Sequence, residues 1–125
     1  MNRQERQRIE SRKLLHQAYH IKENIIKVNR GNTSEHEMAK FLIAWELINN
    51  GEQVITEAIF ANGKRADVFS LDTCTAYEVL KSESKDDFKK NKSSSYPCQV
   101  IPMDAGKVIR SNLESLGTAW KDLDS

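Results

Sequence analysis

Two short segments, Arg65-Ala66-Asp67-Val68-Phe69 and Tyr77-Glu78-Val79-Leu80-Lys81, decide the fold and the candidate chemistry of this chain. Both have the length and the composition of β-strands, and a turn at Asp72-Thr73 separates them. Adjacent strands lie about 4.8 Å apart, so Asp67 and Glu78 can converge on one divalent cation. The pair therefore predicts a metal-binding site on two neighbouring strands.

The composition indicates one soluble globular domain over residues 1–125. Charged residues make up 30% of the chain, hydrophobic residues 38%, and the net charge is +1. Any nucleic-acid binding must therefore come from local patches and not from the overall charge. No apolar run reaches the roughly 18 residues of a membrane span, and the N-terminus does not resemble a signal segment. We expect a cytoplasmic protein that does not bind membranes, with Cys74 and Cys98 as reduced thiols.

Two helices are predicted before the strands. Apolar residues at intervals of three and four predict a helix over Ile9 to Val28, within an N-terminal extension of residues 1–30. Ser34 and Glu37 match a capping box and predict the start of a second helix. The buried stripe of this second helix is predicted to be Met38, Phe41, Leu42, Trp45 and Ile48.

Four strands and two more helices follow in the prediction. The strands are Gln53 to Phe60, Arg65 to Leu71, Cys74 to Leu80 and Tyr96 to Pro102. A charged helix around Phe88 covers residues 82–92. A last helix runs from Asp104 or Ala105 to Leu116, and Trp120 and Leu123 lie in the tail that follows it. The order predicts an α/β fold with an αβββαβ core at about residues 34–116. It has a four-stranded mixed sheet flanked by helices and an extra N-terminal helix.

These residues and their order resemble the PD-(D/E)XK, or restriction-endonuclease-like, nuclease superfamily. The resemblance covers about Ser34 to Ile101 and aligns Asp67 and Glu78 with the family carboxylates. It implies a Mg²⁺- or Mn²⁺-dependent nuclease in which both residues bind the metal. The metal would lower the pKa of a bound water and stabilise the charge growing on the scissile phosphate.

The lysine of the family motif is displaced in this chain. The family places it where Leu80 stands, and Lys81 points to the other face of a regular strand. Three explanations remain open: a bulge at Val79-Leu80 that returns Lys81 to the site, a lysine from the following helix, or loss of the residue. The helix offers Lys89, Lys90 and Lys92.

Further acidic candidates are Glu57, Glu35 and Glu37. A two-residue Asn62-Gly63 loop would pair Ala58 with Asp67 and turn Glu57 away, whereas a three-residue loop that includes Lys64 would bring Glu57 to the face of Asp67. Glu35, ahead of Glu37, is the preferred match for the family's helix acid. Both also have plain roles in the first helical turn.

Cationic residues give candidate contacts to DNA. Arg65 either clamps a phosphate or pairs with a neighbouring carboxylate, and Lys92 follows the third strand. Arg12 belongs to a basic N-terminal stretch that either tracks a phosphate backbone or forms a solvated helix face. The apolar stripe of this stretch would pack on a partner subunit.

The leading hypothesis is a metal-dependent DNA endonuclease or structure-selective nuclease that acts as a homodimer. The alternative is a catalytically silent nuclease-like fold that binds DNA or protein, which Leu80 at the lysine position favours. A weaker third interpretation is a small regulatory protein whose acidic pairs are unrelated to metal.

Overall fold

The computed structural model describes residues 1–81 and 83–112 and contains one four-stranded sheet. Its strands are β1 (Val54–Ile59), β2 (Arg65–Ser70), β3 (Thr75–Leu80) and β4 (Gln99–Asp104), in that spatial order. Strand β2 pairs antiparallel with both β1 and β3, and β4 pairs parallel with β3. This mixed sheet, with helices flanking it, confirms the predicted α/β fold.

Four α-helices accompany the sheet in the described part of the chain. They are α1 (Arg3–Arg12), α2 (Ser34–Asn49), α3 (Lys85–Asn91) and α4 (residues 105–112), with short 3-10 turns at Ala18–His20 and Ser93–Ser95. The predicted end of α4 at Leu116, and the tail with Trp120 and Leu123, lie outside the described residues. Among the helices described, none has the length and apolar content needed to cross a membrane.

The predicted helix from Ile9 to Val28 is wrong. Helix α1 ends at Arg12, and the backbone turns left-handed at Gln17 (φ 53°) and Asn24 (φ 62°). The apolar residues Leu14, Ala18 and Ile21, whose spacing imitated a helix, pack against the protein's own core.

Residues 14–28 instead cover the free edge of β1. The His16 N–H donates to the Ile59 carbonyl at 2.8 Å, and the Asn24 N–H donates to the Val54 carbonyl at 2.8 Å. The Thr56 hydroxyl, buried in β1, donates to the Ile25 carbonyl at 2.8 Å. Hydrogen bonding to a strand edge thus overrides the local helical pattern, because unpaired edge groups would otherwise be left without partners.

The sheet separates two apolar clusters. On one face Val54, Val68 and Val79 pack with Ala39, Ile43 and Ala44 of α2 and Ala105 of α4. On the other, Phe60, Phe69, Leu71, Phe88 and Tyr96 form an aromatic-rich cluster with Leu15. Phe88 of α3 is buried, as the sequence predicted, whereas Lys85, Lys89 and Lys90 of the same helix are exposed.

The predicted buried stripe of α2 is largely wrong. Met38, Phe41 and Trp45 are about half exposed, at 50%, 45% and 53%. The helix turns its small residues and Lys40 toward the sheet, because alanine allows close approach of helix and strands. This rotation places the first turns of α2 over Asp67.

Candidate functional site

Strands β2 and β3 separate at Asp67 and Glu78. Their regular pairing ends at Val68 and Tyr77, and the next pair in register would be Asp67 and Glu78. Here side chains replace the ladder: the Asp67 N–H donates to Glu78 Oε1 at 2.9 Å, and the Val79 N–H donates to Asp67 Oδ2 at 2.8 Å. Each carboxylate is thus fixed by a backbone N–H of the opposite strand. The two acids that the sequence paired do lie together.

Glu57 lies opposite Asp67 in the β1–β2 register, because Thr56 pairs with Val68 and Ala58 with Ala66. Its backbone is left-handed (φ 51°), which is rare for a residue with a side chain. Glu57, Asp67 and Glu78 therefore occupy one row across three strands. The row passes through irregular backbone, and irregular backbone of this kind clusters at functional sites.

The hairpin that sets this register differs from both predicted loops. The Phe60 N–H donates to the Lys64 carbonyl at 2.8 Å, so the loop is Ala61-Asn62-Gly63. Gly63 takes φ 87°, which glycine tolerates without strain. The loop has three residues, but it does not include Lys64.

Lys40, which was not among the predicted site residues, is the cation of the cluster. Its side chain is fully buried, and its Nζ lies 2.5 Å from Glu37 Oε2 and 2.8 Å from Glu57 Oε1. Burial by itself would lower the pKa of Lys40, but hydrogen bonds to Glu37 and Glu57 outweigh it and raise the pKa. Lys40 therefore stays charged and links α2 to β1. Its spacing of three residues from Glu37 was the available sequence signal.

His36 and Glu37, and not Glu35, extend from α2 to this cluster. The Thr33 hydroxyl caps the helix by accepting from the His36 N–H at 3.2 Å, so the predicted capping box at Ser34 is wrong. His36 Nε2 lies 3.3 Å from Asp67 Oδ1. His36 Nδ1 is buried and has no hydrogen-bond partner among the residues described.

Glu35 turns toward α4 instead. A Cβ atom placed on Gly106 would lie 3.6 Å from Glu35 Oε1, 3.4 Å from Asp104 Oδ1 and 3.2 Å from Arg110 Nη1. Glu35 is therefore part of a charged group around the start of α4. The preference for Glu35 over Glu37 is not supported by these positions.

Burial and mutual repulsion perturb both strand carboxylates. Burial, reinforced by the charge of Asp67, raises the pKa of Glu78 to about 8. Burial likewise raises the pKa of Asp67, against hydrogen bonding from Val79 and the charge of His36. Two buried carboxyl groups repel each other when both are ionised. A cation bound between them would remove this repulsion and favour the ionised forms.

Tyr96 and Lys64 border Glu78 on the other side. The Tyr96 hydroxyl and the Lys64 charge both lie close enough to Glu78 to favour its ionised form, and both lower its pKa against the effect of burial. Lys64 Nζ lies 5.1 Å from the centre of the Tyr96 ring. The ring itself packs edge-on against Phe60, with centroids 6.3 Å apart.

Lys81 does not contact either strand carboxylate. The β3–β4 pairing continues without interruption through Val79 and Leu80, so no bulge on that side returns Lys81 to the site. Lys81 is exposed, and Leu80 is buried in the aromatic-rich cluster.

The helix lysines and the other predicted DNA-binding residues also lie apart from the carboxylates. Lys92 pairs with Glu83 at 2.9 Å, and Lys89, Lys90 and Arg65 are exposed. Arg12 stabilises its own segment: its guanidinium donates to the Ala18 and Ile21 carbonyls and pairs with Glu23 at 3.2 Å. Arg12 is thereby engaged within the protein.

The donor set fits a cation that takes only a few ligands from the protein. Across residues 1–81 and 83–112, no three His, Cys, Asp or Glu side chains are grouped to hold a metal by themselves. Mg²⁺ often binds through one or two carboxylates and keeps several waters. Asp67 and Glu78 suit that mode, since each is a carboxylate held at the point where β2 and β3 separate.

Comparison with known proteins adds no relative: no family model, no curated protein and no solved structure matches the chain.

Proposed function

We propose that this protein is a Mg²⁺- or Mn²⁺-dependent nuclease that hydrolyses phosphodiester bonds in DNA. One observation carries the proposal: Asp67 and Glu78 meet where β2 and β3 separate, each fixed by a backbone N–H of the other strand. Carboxylates held in this way have less conformational freedom to lose when a cation binds. The order of elements from α2 to β4 supports the proposal, since the resemblance implies the same αβββαβ core.

The residues around the pair have distinct roles in this proposal. Asp67 and Glu78 hold the divalent cation, which when bound would lower the pKa of a water and offset negative charge on the phosphate. Lys40 lies too deep to touch a substrate; it compensates the charges of Glu37 and Glu57 and keeps them beside Asp67. His36 orients Asp67 through Nε2, and its buried Nδ1 faces Glu37 Oε1 at 3.6 Å.

We propose DNA as the substrate and a homodimer as the active form. A subunit of 14.3 kDa offers little surface for a duplex, and two subunits would double it. Sedimentation velocity with and without a DNA duplex measures the assembly directly. A protein that stays monomeric at both conditions contradicts the dimer and leaves the active-site proposal in place.

Cleavage assays test the activity. Supercoiled, linear, single-stranded and branched DNA are incubated with Mg²⁺ or Mn²⁺, and products are resolved on gels. We expect Asp67→Asn and Glu78→Gln each to abolish cleavage, because each removes a charged ligand. The matched control is Glu10→Gln, an exposed carboxylate on α1 that pairs with Lys13. Cleavage that survives both site substitutions would refute the assignment.

The alternative function is a silent nuclease-like fold that binds DNA or protein. The observation in its favour is that Leu80 is part of the core and Lys81 is exposed, so the family's lysine position holds no cation. Calorimetric titration with Mn²⁺ separates the two functions. A nuclease should show a site that Glu78→Gln removes, whereas a silent fold should show no binding at millimolar metal.

A further inference from the structure

Lys64 is the lysine of the β1–β2 hairpin, and it differs from the other lysines considered for this site. Lys40 is enclosed by two glutamates with no exposed side-chain surface, and Lys92 is paired with Glu83. Lys64 is only half-buried, and within the described residues no carboxylate lies within ion-pair distance of it. Its charge is therefore available to an incoming anion.

The backbone around Lys64 is fixed. Its carbonyl accepts from the Phe60 N–H at 2.8 Å, and its N–H donates to Asn62 Oδ1 at 2.9 Å. The Asn62 side chain in turn donates to the Ser95 carbonyl at 3.1 Å, which ties the hairpin to the turn before Tyr96. A lysine on such a rigid turn has less conformational freedom to lose when it binds a ligand.

The ammonium of Lys64 lies over the Tyr96 ring and near Glu78. It lies 5.1 Å above the centre of the Tyr96 ring, in the range of a cation–π contact, and both Lys64 and the Tyr96 hydroxyl favour the ionised form of Glu78. Tyr96 is 9% exposed and packs against Phe60 and Phe88, so the ring is a fixed support. The ring thus holds the cation near Glu78 without neutralising it.

We propose that Lys64 is the catalytic cation of this site and that its ammonium binds a non-bridging oxygen of the phosphate being cleaved. The inference rests on the proposed nuclease function and names the residue that takes the place left by Leu80. An ammonium positioned at this oxygen stabilises the negative charge that develops there during hydrolysis. Lys40 cannot take this role, because both of its carboxylate partners would have to be displaced first.

The test compares Lys64→Gln, Lys64→Arg and the control Lys22→Gln. Lys22 is exposed and lies at the opposite end of β1 from Lys64. It is close in sequence to Asn24, which hydrogen-bonds to Val54 at the start of β1, whereas Lys64 follows Ile59 at the end of that strand. Cleavage is measured with Mn²⁺ at saturating DNA. Affinity for a duplex is measured by fluorescence anisotropy with Ca²⁺ over a series of salt concentrations, and circular dichroism confirms that each variant is folded.

Lys64→Gln should lower the cleavage rate on the order of 100-fold. It should also weaken duplex binding severalfold and reduce the salt dependence by about one ion. Lys64→Arg should recover most of the binding and part of the rate, and Lys22→Gln should match the wild type. If Lys64→Gln cleaves and binds as the wild type does while Asp67→Asn is inactive, the role of Lys64 is refuted and the nuclease stands. If the wild type neither cleaves nor binds any DNA, both proposals fall.

Discussion

Replacing Lys40 with methionine should cost this protein much of its stability. Methionine keeps the length of the side chain but removes the ammonium, so Glu37 and Glu57 lose the cation that lies 2.5 Å and 2.8 Å away. Removing one partner of a buried ion pair costs about 3–5 kcal/mol. Both glutamates keep some contact with solvent, with side chains 16% and 19% exposed. We therefore expect the lower end, about 3 kcal/mol, and a melting temperature lower by about 10 °C.

Urea unfolding at pH 7, followed by circular dichroism, measures this free energy. The triple variant Lys40→Met, Glu37→Gln and Glu57→Gln should recover at least half of the loss, because it leaves no charge without a partner. The matched control is Lys13→Met, whose exposed pair with Glu10 should matter little. A Lys40→Met variant as stable as the wild type would show that the ammonium is not enclosed between the two glutamates.

Three further predictions concern stability. Folding raises the pKa of Glu78 from 4.5 to about 8, so the folded state favours the protonated carboxyl. The contribution of this group to the free energy of unfolding is therefore complete below pH 4.5 and is lost as the pH rises through 8. Melting temperatures in chelator should fall between pH 5.5 and 8.5, and less so in Glu78→Gln; equal slopes would contradict the shift. Arg12→Ala should destabilise by about 2 kcal/mol in urea unfolding, since it removes two bonds to carbonyls and the pair with Glu23. Trp45→Ser should change the unfolding free energy by less than about 1 kcal/mol, because Trp45 is 53% exposed, and a loss of 3 kcal/mol would contradict that exposure.

Local patterns in the sequence were sufficient for most of the sheet. The strands predicted around Asp67 and Glu78 agree with β2 and β3 to within one residue at each end. Alternation, β-branched residues and turn residues are local signals that involve only residues close together in the sequence. A strand can therefore be predicted from them without knowledge of distant contacts. The same alternation correctly separated Leu80 from Lys81.

The errors arose where distant contacts decide the structure. Residues 14–28 have helical spacing, but hydrogen bonds to β1 at His16 and Asn24 hold them along the edge of the sheet. Lys40 was overlooked because lysine is rarely buried, and only the folded structure brings Glu57 within reach of it. The position of Glu57 relative to Asp67 depends on the length of the hairpin loop. The hydrogen bond from the Phe60 N–H to the Lys64 carbonyl fixes that length.

The two edges of the sheet limit how this protein can associate with itself. One edge, β1, is covered by residues 14–28, and the other, β4, carries Pro102 at its centre, a residue with no N–H to offer an added strand. Growth of the sheet across subunits is disfavoured at both sides, which also protects the protein against aggregation through strand edges. The homodimer proposed above would have to join through surfaces other than these two edges.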